Sequence, residues 1–330
     1  MILVTGGAGF IGSNLVAGLE NSRAGEIVVC DHLGILDKWR NLSKRDISNL
    51  IPPEQLLNYI DSEAQNLKKI FHMGAISSTT ETDADKILKT NFWLTQEIWK
   101  KCARYRIPLI YASSAATYGS GQKGFDDNFT KKALSDLKPL NAYGWSKHLF
   151  DGWVARIIES GDEDLLPPQW AGLKFFNVFG PNEYHKEGQI SVVLKLYKEL
   201  MEGSPPTLFR SHNPAYKHGE QKRDFVWVGD CVKVMVWLFE NTHVSGLFNL
   251  GTGKARSFSD VVSSLLATLQ KQAEIRFVDT PEALQTTYQY FTEAKIGRLR
   301  SAGYKSPFKS LEAGIKKYVE NHLTKDDPYL

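Results

Sequence analysis

Tyr143 and Lys147 stand four residues apart in Tyr143-Gly144-Trp145-Ser146-Lys147, a spacing that puts both side chains on one face of a helix. A free tyrosine has a pKa of about 10, too high for a base at neutral pH, but a neighbouring ammonium stabilises the phenolate. A shift of about 3 units corresponds to roughly 4 kcal/mol. The pair is therefore suited to taking a proton from a hydroxyl. Upstream, Ser113 and Ser114 close an apolar run that reads as a strand. At a strand end they face a ligand crevice, where one hydroxyl can bond the oxygen that Tyr143 deprotonates.

The chain opens with a second device, Thr5-Gly6-Gly7-Ala8-Gly9-Phe10-Ile11-Gly12. Without a Cβ, Gly6 can make a tight turn, Gly9 lets the backbone approach a pyrophosphate, and Gly12 lets the following helix pack on a sheet. The helix N-terminus offers unpaired N–H groups and a positive dipole end to phosphates. Asp31, at the end of a second apolar run, should approach the ribose of an adenosine. An acid there favours a free 2′-hydroxyl, hence NAD, whereas Lys38 and Arg40 close by could pair with a 2′-phosphate, hence NADP. Both remain open at this point.

Positioning these groups requires alternating elements. Ile2–Thr5, Ile27–Asp31, Lys69–His72, Leu109–Ser113 and Ala171–Phe176 read as buried strands, and helix-period segments lie over Ile11–Asn21, Asp83–Tyr105 and Tyr143–Ser160. Strand and helix in alternation predict an α/β fold, a Rossmann-like doubly wound parallel sheet. Residues 34–66 are irregular, with one helix near Glu54–Ile60, and 120–138 read as a surface loop. After residue 177 the pattern loosens. Helices are expected over Ile190–Glu202, from about 229 to Glu240, over Ser257–Gln270 and near Leu311–Tyr318, with strands at Phe225–Val228 and Leu247–Leu250. The expected division is a dinucleotide-binding domain over 1–176, to which 224–250 returns, and a smaller α/β substrate-binding domain over 177–330. A polar loop carries Arg210, His212, Lys217, His218, Lys222 and Arg223, a composition able to clamp a pyrophosphate.

The 330 residues include 40 basic and 37 acidic side chains, a net charge of +3 with no basic stripe; a dedicated nucleic-acid partner is not expected. No stretch approaches the about 18 apolar residues of a membrane span, and no basic segment precedes an apolar run at the start. A cytoplasmic protein without a membrane partner is expected. Cys30, Cys102 and Cys231 are far apart, so neither a metal site nor a disulfide framework is expected.

The chain resembles the extended short-chain dehydrogenase/reductase family over essentially its whole length. The matching pieces are TGGAGFIG at the start, HMGA at 72–75, YASSAATYG at 111–119, YGWSK at 143–147, FFNVFGP at 175–181, RDFVWVGD at 223–230 and FNLGTG at 248–253. The resemblance implies a bound nicotinamide dinucleotide, a nucleotide-sugar substrate, and Ser114, Tyr143 and Lys147 as catalytic residues. Family dehydratases carry Asp-Glu after the strand-end serine or threonine, and decarboxylating members a Glu; Ala115 and Ala116 stand here. That leaves an epimerase or a reductase.

Within the family, SSTTE at 77–81, PLNAYGWSK at 139–147, FFNVFGPNEYHK at 175–186, KRDFVWVGD at 222–230, YQYFT at 288–292 and AGYKSPF at 302–308 are similar to the branch that epimerises ADP-linked heptoses. This likeness implies a second catalytic base at Lys186 and substrate contacts at Ser77, Ser114, Asn177, Phe209, Arg223 and Tyr288. It implies cofactor contacts at Phe10, Ile11, Asp31, His32, Lys38, Ala75, Asn91 and Val178, besides Gly6, Gly9, Gly12, Tyr143 and Lys147. The implied reaction inverts C6″ of ADP-D-glycero-D-manno-heptose with NADP held through the cycle, NAD being the alternative, and serves lipopolysaccharide core biosynthesis; a homo-oligomer is expected. The rival is an NAD-dependent UDP-hexose 4-epimerase or a keto-sugar reductase. The chain departs from the branch at Glu187-Gly188, at Lys195 in place of a histidine, at Pro53 in place of a lysine, and in its longer loop Ser211–Gln221.

Overall fold

A computed structural model describes residues 1–34, 36–285 and 288–330. Seven parallel strands form the central sheet: β1 (Ile2–Thr5), β2 (Ile27–Cys30), β3 (Asn49–Ile51), β4 (Lys69–His72), β5 (Leu109–Ser114), β6 (Trp170–Phe175) and β7 (Gly246–Leu250), in the order β3-β2-β1-β4-β5-β6-β7. Every residue of β1, β2 and β4 is buried, as expected of parallel strands covered on both faces. The order reverses between β1 and β4, and a ligand crevice opens where connections leave neighbouring strands in opposite directions. The predicted α/β Rossmann-like class is the observed one.

Helices Phe10–Asn21 and Val228–Glu240 cover one face of the sheet, with Val16, Leu19, Val234 and Leu238 in one core. A Cβ on Gly18 would lie 2.2 Å from Val232 Cγ1, so the two helices are in backbone-close contact. Leu94–Arg104 and Ala142–Ser160 cover the other face through Ile98, Trp99, Phe150 and Val154. A separate core around Phe179 and Trp227 joins the helices Val192–Met201, Phe258–Leu269 and Leu311–Tyr318.

The structure differs from the sequence expectations in several places, among them an unexpected pair of short parallel strands, Thr207–Phe209 and Arg276–Val278. The strand β3 stands where only a helix was expected; two of its three residues are exposed, so no apolar run announced it. Residues 120–138 are no mere surface loop: Phe125, Asp127, Leu134 and Leu137 are buried, and Lys131–Ser135 is helical. The helical run expected over 83–105 is interrupted by a π turn, Lys89–Trp93, with Asn91 buried inside it. Among the described residues no helix is long and apolar enough to cross a membrane.

Candidate active site

The glycine turn leaves β1 at the reversal point. Gly6 has φ +65°, and a Cβ there would lie 2.6 Å from the Gly74 backbone; one on Gly12 would lie 2.1 Å from the Gly6 carbonyl. These two positions admit only glycine because backbone meets backbone. A Cβ on Gly9 would meet only the Gly6 carbonyl, at 3.1 Å, so its other side is open to a ligand. Gly9 caps the helix Phe10–Asn21 without a side chain, and the N–H groups of Phe10, Ile11 and Gly12 have no acceptor within the helix.

Asp31 follows β2 and braces the turn. One carboxylate oxygen accepts the Ala8 N–H at 2.9 Å, the other the Lys38 ammonium at 2.7 Å, which also donates to the His32 carbonyl at 2.6 Å. Arg40, expected beside the same ribose, points elsewhere: it bonds Asp327 at 3.5 Å and stacks 4.3 Å over the Tyr329 ring. Lys38 is thus the cation that stays with Asp31. His32 is exposed and faces Glu54 at 3.1 Å. Asn91 exchanges two 2.9 Å bonds with the Ile76 backbone and donates to Ser146 Oγ at 3.1 Å, so its side chain shapes the turn after β4. Ala75 in that turn is half-buried and Ser77 exposed.

Ser114 ends β5 and caps the following turn, its Oγ accepting the Ala116 N–H at 3.1 Å. The helix Ala142–Ser160 begins at Asn141, whose side chain accepts the Gly144 N–H at 2.8 Å. A Cβ on Gly144 would lie 2.7 Å from the Ala116 carbonyl, so this glycine brings the tyrosine's helix against the serine's turn. Burial pushes the Tyr143 phenol above its ordinary value, and the nearby Ser114 hydroxyl pulls it back. Lys147, four residues on, is the group from which a lowering is expected, and burial acts against it.

Lys147 is 3% exposed, and burial lowers its pKa to about 8 against the pull of Asp151. Among the described residues its Nζ has no hydrogen-bond acceptor, a condition that a ribose diol would satisfy. This ammonium and the open side of Gly9 fit a dinucleotide. Below them Asp151 is buried with Lys174 at 2.8 Å and Ser113 Oγ at 2.8 Å, while Lys174 also reaches Thr117 Oγ1 at 2.6 Å. His72 lies between Thr5 at 2.7 Å and Thr95 at 3.0 Å. Burial and Lys147 lower its pKa to about 3, so it stays neutral.

The second half supplies another wall. Phe209, Arg223 and Tyr288 come together: the Arg223 guanidinium lies 5.3 Å from the Tyr288 ring, and the Phe209 and Tyr288 rings are 6.5 Å apart. Arg223 is 7% exposed and has no carboxylate partner among the described residues, the setting of a cation that awaits an anion. In the longer loop, Tyr216 packs 5.5 Å from Tyr290, Arg210 pairs with Asp279 at 3.2 Å, and His218 Nδ1 accepts the Ser211 N–H at 3.0 Å. Arg210 and His218 are therefore engaged in building the loop. Asn177 is exposed and Val178 half-buried on the short strand Asn177–Phe179.

Lys186 crosses from this half to the glycine turn, its Nζ 5.6 Å from the centre of the Phe10 ring. Burial lowers its pKa and Glu183 opposes the shift. Several residues that the sequence reading passed over support the site. Asn41 donates to the carbonyls of Ala8 and Asn182 at 2.8 and 3.1 Å, Gln289 donates to the Gly119 carbonyl, and Glu183 lies three residues before Lys186. An acid in PNEYHK, so near a candidate base, was the available signal for Glu183; the others contact partners too distant in sequence to leave one.

Residues 2–251 match the NAD dependent epimerase/dehydratase family. The chain is 44% identical to ADP-L-glycero-D-manno-heptose-6-epimerase of Fusobacterium nucleatum, over 100% of both chains. The solved structure of Helicobacter pylori ADP-L-glycero-D-manno-heptose-6-epimerase is 29% identical with a TM-score of 0.78, covering 97% of this chain and 95% of that one. MoeE5, solved in complex with UDP-glucuronic acid and NAD, is 25% identical with a TM-score of 0.74, over 97% of each chain. Glycine turn, serine, tyrosine and lysine thus stand in a fold shared along the whole chain, and the protein belongs to the NAD dependent epimerase/dehydratase family.

Proposed function

We propose that the protein epimerises ADP-D-glycero-D-manno-heptose to its L-glycero form at C6″, using a bound NADP. The observation that carries this reading is the pair of proton-handling groups. Tyr143, with the Ser114 hydroxyl beside it, stands on one element, and Lys186 reaches over Phe10 from another. Inverting a carbinol centre requires hydrogen to leave one face and return to the other, and two faces favour two acid–base groups. The bound nicotinamide supplies reversible hydride acceptance. Tyr143 takes the hydroxyl proton as the ketone forms, Ser114 holds the same oxygen, and Lys147 anchors the cofactor ribose. Lys186 manages the proton when the turned ketone is reduced on its opposite face. The full-length likeness to enzymes named for this reaction supports the substrate.

In this reading Gly6, Gly9, Phe10, Ile11 and Gly12 receive the pyrophosphate, Asp31, His32 and Lys38 the adenosine ribose, and Ala75, Asn91 and Val178 frame the dinucleotide. Arg223 takes the substrate phosphates, with Ser77, Asn177, Phe209 and Tyr288 around the sugar nucleotide. Lys38 beside Asp31 favours NADP over NAD. Trp93 and Trp145, 48% and 42% exposed, offer apolar surface for a homo-oligomer, and three buried free thiols suit a cytoplasmic enzyme.

The test is to incubate the protein with ADP-D-glycero-D-manno-heptose and follow C6″ by NMR, without and then with added NADP or NAD. Conversion is expected in wild type. In Tyr143→Phe it should fall by about 10³-fold with cofactor still bound. No conversion under any condition, or full activity in the variant, refutes the reading.

A further inference from the structure

The loop from Gly180 to Ser191 that carries Lys186 is built from uncommon backbone. Gly180, Asn182 and Glu187 have φ of +147°, +72° and +45°, and residues with side chains persist there only when their surroundings hold them. Glu183, in the same loop, is 0% exposed. Its Oε1 accepts the Gly180 N–H at 3.3 Å and the Ser191 hydroxyl at 2.8 Å, and its Oε2 accepts the Ser191 N–H. Ser191 caps the helix Val192–Met201, so the carboxylate also sits at a helix N-terminus, where negative charge is favoured. One buried side chain thus ties both ends of the loop together.

We propose that Glu183 is the positioning residue for Lys186, closing the Gly180–Ser191 loop so that the ammonium is presented over Phe10 at the glycine turn. This rests on the reading of Lys186 as the second base. Other contacts set the loop's place without joining its two ends. Asn14 and Asn41 donate to the Pro181 and Asn182 carbonyls at 2.9 and 3.1 Å, and the Asn182 side chain donates to Ser13 Oγ and accepts the Leu330 N–H, each at 3.0 Å. Tyr184 donates to the Pro328 carbonyl at 3.0 Å, and Asn41 Nδ2 lies 3.2 Å from His185 Nδ1. The charged and titratable groups around the pair are few. Glu183 faces Lys186 and the phenols of Tyr184 and Tyr318, and Lys186 faces Glu183 and His185. Burial raises the Glu183 carboxyl while its donors and Lys186 pull it down, and the carboxylate in turn keeps Lys186 more basic than burial alone allows. Glu183 therefore controls both where Lys186 stands and how readily it gives up its proton.

A double-mutant cycle separates this role from a merely structural one. Glu183→Gln should lower kcat by about 10–100-fold with KM changed less than about threefold. In a Lys186→Met background the same change should cost less than about twofold more. Equal losses in both backgrounds overturn the proposal while leaving the epimerase reading intact. A second readout does not depend on substrate: acetylation of Lys186 against pH, read by peptide mass spectrometry on the protein with its cofactor. Its midpoint should move down by about one pH unit in Glu183→Gln and return toward wild type in Glu183→Asp, which keeps the charge. An unmoved midpoint overturns the proposal. If wild type fails to convert the heptose, the reaction reading falls, and the acetylation midpoint still decides the role of Glu183.

Discussion

Lys69 and Lys147 are buried almost equally, 1% and 3% exposed, and burial lowers both to a pKa of about 8. Their surroundings differ. Lys69, at the start of β4, donates to Gln169 Oε1 at 2.6 Å and to the carbonyls of Leu238 and Phe239 at 3.0 and 3.1 Å. Those carbonyls end the helix Val228–Glu240, where a cation is welcome. Lys147 stands beside the strand ends that bear Ser114 and His72 and has no acceptor among the described residues. A buried ammonium with three acceptors fastens a helix to a sheet, whereas one with none is held in readiness for a ligand. Lys174, locked to Asp151, is a third case, a charge neutralised beneath the site.

The sharpest way to break this comparison is Lys147→Met. Turnover should fall by about 10³-fold, yet stability at neutral pH should rise by about 1–3 kcal/mol, because the folded protein no longer buries an unbonded charge. An NMR assay and urea unfolding of the protein stripped of cofactor measure the two effects; a destabilised variant would contradict the account of Lys147. Lys69→Met should do the reverse. It strands Gln169 Oε1 and the Phe239 carbonyl, while the Leu238 carbonyl keeps a bond from Gln169 Nε2; the change should cost about 2 kcal/mol and leave turnover within about threefold of wild type.

The pH dependence sharpens the distinction. Because Lys147 has its pKa lowered from 10.5 to about 8 in the folded state, the unfolded chain binds more protons at this residue between those values. Its contribution to stability therefore rises with pH across that window. The advantage of Lys147→Met over wild type should accordingly be full below pH 8 and fade toward pH 10.5. Taking the difference between the two proteins cancels the buried thiols and the phenols distant from Lys147. An advantage independent of pH would mean that the ammonium is not the cause. The smallest effect is expected at Lys38, half-buried and already paired with Asp31: under the proposed reading, Lys38→Ala should weaken NADP relative to NAD by about 5–10-fold, read from the two dissociation constants.

Much of this was legible before any coordinates. Gly6, Gly12, Tyr143 and Lys147 act through spacings of a few residues, and strand runs such as Ile2–Thr5 declare their burial by composition. The apolar Lys69–His72 run was equally plain, yet nothing local said that Lys69 would find its acceptors at residues 169, 238 and 239. The exposed strand β3 left no apolar signal, and Asp127 in a polar stretch turned inward to accept the Asn249 N–H at 2.8 Å. Arg40 was read as a ribose neighbour because the partners that claim it, Asp327 and Tyr329, lie nearly 290 residues on.

By itself, then, the sequence determined the sheet, its glycine turn and the tyrosine–lysine face, because periodicity and glycine's missing Cβ act within a single turn of chain. Only the tertiary structure decided which charges are satisfied. It bonded Lys69 and not Lys147, took Arg40 away from Asp31, brought Lys186 onto Phe10 and closed the Lys186 loop on Glu183. The physical reason is that desolvation and hydrogen bonding depend on what surrounds a group in space, and those neighbours come from every part of the chain.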